Sequence, residues 1–125
     1  HTEVKMESTK QLKCKDLVQS SWESQEEDYK NFKDEGDFES LFDYANETAL
    51  SFDKVEKYTH RNKRSYYRLQ LSWGGPSTEF RAYLNADHDI DFIEYWYLDW
   101  FDGACIDVPR DSKSWEVVES FVEFA

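Results

Sequence analysis

Asp99 and Asp102 bracket two aromatic residues in the run Tyr95-Trp96-Tyr97-Leu98-Asp99-Trp100-Phe101-Asp102-Gly103-Ala104. Two carboxylates held beside aromatic walls can push each other's pKa values apart and act as an acid and a base. The same residues serve a corner equally well, where an aspartate caps a turn or accepts a bond from an arginine or an indole N–H. No nucleophile or electrophile converges on the pair in the sequence, so a structural role is the expectation. A second cluster, Asp87-His88-Asp89 with Asp91, crowds oxygen and nitrogen ligands into one turn, but it lacks the glycine and the distal glutamate of a calcium loop. The chain has no Gly-rich phosphate loop, no Gly-x-Ser-x-Gly elbow and no Cys-x-x-Cys pair. Cys14 and Cys105 are far apart in sequence and read as reduced thiols of a cytoplasmic protein; by the same logic the sequon Asn46-Glu47-Thr48 is fortuitous. Neither catalysis, nor a cofactor, nor a metal site is expected.

Charge points elsewhere. The chain carries a formal −12, distributed in blocks: residues 19–56 hold twelve acids and three bases, residues 57–78 hold five bases and no acid, and residues 79–125 again hold twelve acids and three bases. A field of this sign repels nucleic acid and attracts basic surfaces. In the first block, Glu23, Glu26, Glu27, Asp34, Glu35, Asp37, Glu39 and Asp43 fall on expected helices and their joints. Helical neighbours three or four apart sit about 5–6 Å from each other, near the spacing of phosphates along a strand. Such a row suits a basic groove built for DNA or RNA, and these eight residues are the expected partner-binding set. Like charges at that spacing cost stability, so their retention points to a use for the field.

The elements that must position these groups follow from periodicity. Residues 1–13 are polar and unpatterned and read as a tail, with one domain over 14–125. Leu17, Val18 and Trp22 suit a short helix. Ser24-Gln25-Glu26-Glu27 has the form of a capping box, which starts a second helix that Gly36 would end. Asp37 could cap a further helix, along which Phe38, Leu41, Phe42, Ala45, Ala49 and Phe52 recur at helical spacing. The basic stretch 57–64 reads as a loop. Beyond it the period drops to two: Tyr67, Leu69, Leu71 and Trp73 mark one strand, Phe80, Ala82 and Leu84 a second, and 90–98 a third that is apolar on both faces. Cys105–Val108 is a candidate fourth strand. Ser112 or Ser114 caps a last helix with Trp115, Val118, Phe121 and Val122 on one face. The expected class is α+β: N-terminal helices, a three- to four-stranded antiparallel meander, and a C-terminal helix. Trp73, Trp96, Leu98, Val118 and Phe121 are expected to be buried together in its core.

Composition agrees with a folded domain. Hydrophobic residues make up 39% and aromatics 18%, so the core is built largely on rings. No apolar run approaches the roughly 20 residues that span a bilayer, and no signal segment opens the chain, so no membrane is expected; His1 in place of Met reads as a processed start.

Leu71-Ser72-Trp73-Gly74-Gly75-Pro76-Ser77, Glu79-Phe80-Arg81 and the run Tyr95–Ala104 together resemble a block in small proteins of phages and plasmids. That resemblance covers about a third of the chain, roughly residues 65–105, and implies an anti-restriction or anti-CRISPR setting, where acidic nucleic-acid mimics are common. The acidic helices lie outside it. Three classes of function follow: a mimic that inhibits a nucleic-acid-handling defence complex, an immunity- or antitoxin-type protein that neutralises a basic toxin, and an enzyme or ligand-binding domain on the aromatic meander. The acidic field favours a basic protein surface as partner, without direct contact to nucleic acid.

Overall fold

A computed structural model of the chain describes residues 13–33, 40–56 and 64–125. Among them, α1 (Cys14–Lys30) and α2 (Leu41–Thr48) precede five strands, β1 (Ser51–Val55), β2 (Tyr66–Ser72), β3 (Ser77–Leu84), β4 (Ile90–Asp99) and β5 (Asp102–Asp107), and α3 (Lys113–Glu123) follows them. The strands form one antiparallel sheet in the order β1-β2-β3-β4-β5, each paired with its chain neighbours. The fold is α+β as expected, with one strand more than the upper expectation.

Three local expectations are corrected. Ser24 does not begin a helix: α1 runs through it without a break, since nothing between Cys14 and Lys30 is a glycine or proline. The helical pattern expected to reach Phe52 stops at Thr48, whose hydroxyl bonds the Tyr44 and Ala45 carbonyls. Ala49 is extended, and the Leu50 N–H already donates to the Gln70 carbonyl, so a ladder with β2 takes over and turns 51–55 into a strand. Ser40, not Asp37, caps α2, accepting from the Asp43 N–H at 3.1 Å; Gly36, Asp37 and Phe38 lie outside the described residues, as does 57–63 of the expected basic loop.

All three helices pack on one face of the sheet. Phe52, Tyr67, Leu69, Phe80, Ala82, Ile93, Tyr95 and Ile106 point into that layer and meet Val18, Tyr29, Ala45, Trp115, Val117, Val118 and Phe121 from the helices. Period-two alternation sends Tyr66, Arg68, Glu79, Arg81, Tyr83, Glu94 and Trp96 to the opposite face. The expected core quintet is therefore split. Val118 and Phe121 are buried, but Trp96 and Leu98 belong to the far face. Trp73 is 75% exposed: β2 ends at Ser72, and a bulge between Gln70 and Ser72 interrupts the alternation that would have turned the ring inward.

Candidate binding surfaces

On the far face of the sheet, which no helix covers among the described residues, the three arginines each meet a carboxylate. Arg81 Nε donates to Glu79 Oε2 at 2.6 Å, and its guanidinium lies 4.1 Å from the Trp96 ring centroid and 5.0 Å from that of Tyr66. Glu79 is only 3% exposed, an acid whose burial is offset by this contact. Arg68 bonds Asp53 with two nitrogens. Arg64 reaches Asp91 and the Leu84 carbonyl while lying over the Tyr83 and Phe92 rings. Glu94 accepts from the Trp96 indole N–H at 2.9 Å and faces the Cys105 thiol. Burial and the nearby Glu94 push that thiol up to about 11, so it stays protonated at neutral pH and is a poor nucleophile. Aromatic faces and a buried carboxylate seal the Arg81 guanidinium, while Arg64 and Arg68 hold their carboxylates nearer the surface.

The helix layer differs. Glu23 and Glu27 on α1, Asp43 and Glu47 on α2, and Glu119 and Glu123 on α3 are exposed, and among the described residues none forms an ion pair. Among the described acids on the three helices only Glu116 has a cationic partner, Lys113. The Tyr44 hydroxyl donates to Asp28 and the Tyr44 ring stacks on Phe32, which ties α2 to α1 and brings their acids into one layer.

Of the eight carboxylates expected to face a partner, Glu23, Glu27 and Asp43 are in the open; Asp34, Glu35, Asp37 and Glu39 lie outside the described residues. Glu26 is corrected. It is 5% exposed and accepts the Lys113 and Ser114 backbone N–H groups and the Ser114 hydroxyl at 2.7–2.8 Å. Those amides belong to the first turn of α3, where unsatisfied donors and the helix dipole favour a carboxylate. Glu26 is a cap supplied by another helix, and reversing its charge would break that joint. The one-sided pattern of α1 held the only signal for this: Val18, Glu26 and Tyr29 share the buried side.

Asp102 likewise serves a helix end. Its carboxylate accepts the Cys14 backbone N–H at 2.8 Å, which holds its pKa below the usual aspartate range. The Asp87–Asp91 turn is organised by the Asn85 side chain, which accepts the Asp87 and Asp89 N–H groups, and Asp91 is engaged by Arg64. Among the described residues no group of three or more His, Cys, Asp or Glu side chains is placed to hold a metal. At this end of the sheet a cleft of about 210 Å³ is lined by Lys54, Arg64, Ser65, Tyr66, Leu84 and His88.

The chain is thus a one-layer helical cover on a five-stranded antiparallel meander, with an open acidic side and a sealed arginine–aromatic side. No family model, curated protein or solved structure matches it. No described helix is long and apolar enough to cross a membrane.

Proposed function

We propose that this protein is a non-catalytic acidic binder that lays its helix layer into the basic groove of a nucleic-acid-handling protein and so inhibits it, the carboxylates standing where phosphates would. The observation that supports this reading is the set of exposed, unpaired acids on α1, α2 and α3, in a molecule that pairs Asp53, Glu79 and Asp91 with arginine on its other face. A carboxylate held for stability gains from a paired base; leaving these acids without an ion pair among the described residues keeps their field available to a partner. The likeness of the β2–β5 region to phage and plasmid proteins suggests that the target is a host defence complex.

The test is binding to the partner isolated by salt elution, measured at low salt and at roughly 0.5 M, where screening falls to a few ångströms. Affinity is expected to drop steeply with salt, and Glu23→Lys, Glu27→Lys, Asp43→Lys and Glu47→Lys together should slow association more than they speed dissociation. Binding that ignores both salt and reversal overturns the reading. A salt-sensitive partner that is a toxin without a nucleic-acid groove reassigns the same surface to neutralisation.

A further inference from the structure

Four of the five large hydrophobic side chains that stand exposed among the described residues are gathered at one end of the sheet. They are Leu50, Trp73, Trp100 and Phe101, with Trp100 92% and Phe101 102% exposed. The pairing dictates this: β1 starts, β2 and β4 end, and β3 and β5 start at that edge, with Ser72 opposite Thr78, Ser77 opposite Leu98 and Asp99 opposite Asp102. Strands about 4.8 Å apart put the two aromatic turns roughly 10–15 Å from each other. Three rings of this size present roughly 450–750 Å², approaching the about 800 Å² that each side of a standard protein interface buries.

The backbone adds a second, independent sign. Trp100 is the first residue of a two-residue hairpin turn and has φ 54. Glycine is the ordinary occupant of such a position, and a bulky residue there is strained. The tight turn Gly74-Gly75 beside Trp73 uses glycine at φ 83 and 61, so the fold has the usual solution available one hairpin away. A large ring kept in a strained turn and pointed into water does nothing for the core.

We propose that this end is an aromatic anchor that inserts into an apolar pocket, rimmed by basic side chains, on a partner protein. Charge selects this occupant. Two copies of the chain would each bring −12, opposing dimerisation through the tips. Anionic membrane surfaces are held by basic residues beside the inserting rings, whereas here Asp99 and Asp102 bracket the tip, and Lys54 and Arg64 sit at the opposite end of the sheet. Among the described residues, Lys13 is the cation beside Asp102, and it lies outside the hairpin tip. The anchor goes beyond the helix-layer reading, because it predicts an apolar contact that salt does not weaken.

The experiment uses the full chain in three arms. A photo-crosslinking residue at Phe101 is activated in the native cell, the crosslinked protein is purified, and its affinity is measured for wild type and for the Trp100→Asn, Phe101→Ser double variant. We expect a basic protein, a loss of roughly tenfold or more in affinity, as for truncated aromatic hot spots, and an unchanged or raised Tm, since asparagine tolerates positive φ. Sedimentation equilibrium should show a monomer, and phosphatidylcholine vesicles, with or without phosphatidylserine, should leave tryptophan emission unshifted. A dimer lost in the double variant assigns the tip to a second copy, and an emission shift lost in it assigns the tip to a membrane; either overturns the proposal. So does the absence of any crosslink, or a purified partner that binds the double variant as well as wild type. Retained loss in the double variant alongside insensitivity to the helix reversal separates this anchor from the acidic layer.

Discussion

The two faces of this molecule treat carboxylates in opposite ways. On the sheet side Asp53, Glu79 and Asp91 each meet a guanidinium, and Glu94 takes the Trp96 indole N–H. On the helix side Glu23, Glu27, Asp43, Glu47, Glu119 and Glu123 form no ion pair among the described residues. Burial explains the pairing of Glu79, since an acid at that depth is tolerated only with a charge and hydrogen bonds around it, while Asp53 and Asp91 meet their arginines near the surface. Nothing in the fold demands the second. An acid's worth to stability is therefore set by its surroundings, as adjacent Glu26 and Glu27 show, not by residue type, and the same −12 chain contains acids that hold it together and acids that only project a field.

Substitutions on the two faces should separate along that line. The largest effect is expected from Glu79→Ala, which leaves Arg81 without its counter-charge in a half-closed site; breaking a buried pair costs about 3–5 kcal/mol, and urea unfolding would read it. A loss below about 1 kcal/mol would mean that Trp96 and Tyr66 suffice to hold the guanidinium. Next comes Glu26→Ala, which orphans the first amides of α3. About 2–3 kcal/mol is expected from unsatisfied buried donors, with Glu27→Ala as the exposed neighbour that should change little. Asp102→Asn should cost less, and in a pH-dependent way. The folded pKa of Asp102 lies below the ordinary aspartate value, so its charge stabilises the fold above that value and the gain disappears as pH falls through the folded pKa. The deficit of the variant is thus present at pH 7 and vanishes in acid, which thermal melts across pH would show. Smallest is the Glu23, Glu27, Asp43 and Glu47 reversal, expected to shift stability by less than about 0.5 kcal/mol per site while altering partner association. Unfolding of that quadruple variant would make the helix-side acids structural after all.

Much of the sheet was legible from residue order, and the reason is locality. β2, β3 and β4 are hairpin neighbours whose alternation is written in consecutive residues, and α3 carries both its cap, Ser112, and its apolar stripe. β1 was illegible because Phe52 fits the helical spacing of α2, and only pairing with Leu69 on another strand makes it extended. Glu26 and Glu27 are adjacent and chemically equal; what distinguishes them is the end of a helix 88 residues away from Glu26. The aromatic end was hidden for a related reason. Trp73 continues an alternation that a bulge interrupts, and the Asp-Trp-Phe-Asp run reads as a structural corner, with no local sign that its turn projects both rings outward.

The Glu26 contact has a consequence for the order of assembly. Every strand pairs with the next one along the chain, so the meander can zip up hairpin by hairpin, closing loops of at most ten residues. The first helix cannot be fastened on that schedule: the amides that receive its glutamate come from the last helix. On a ribosome the sheet is complete while α1 still lacks its anchor, and the apolar side of the sheet waits for residues 113 and 114 to emerge. The start of α3 is thus the clasp of the domain, and the interval before it closes is when the nascent chain is most exposed to aggregation and proteolysis.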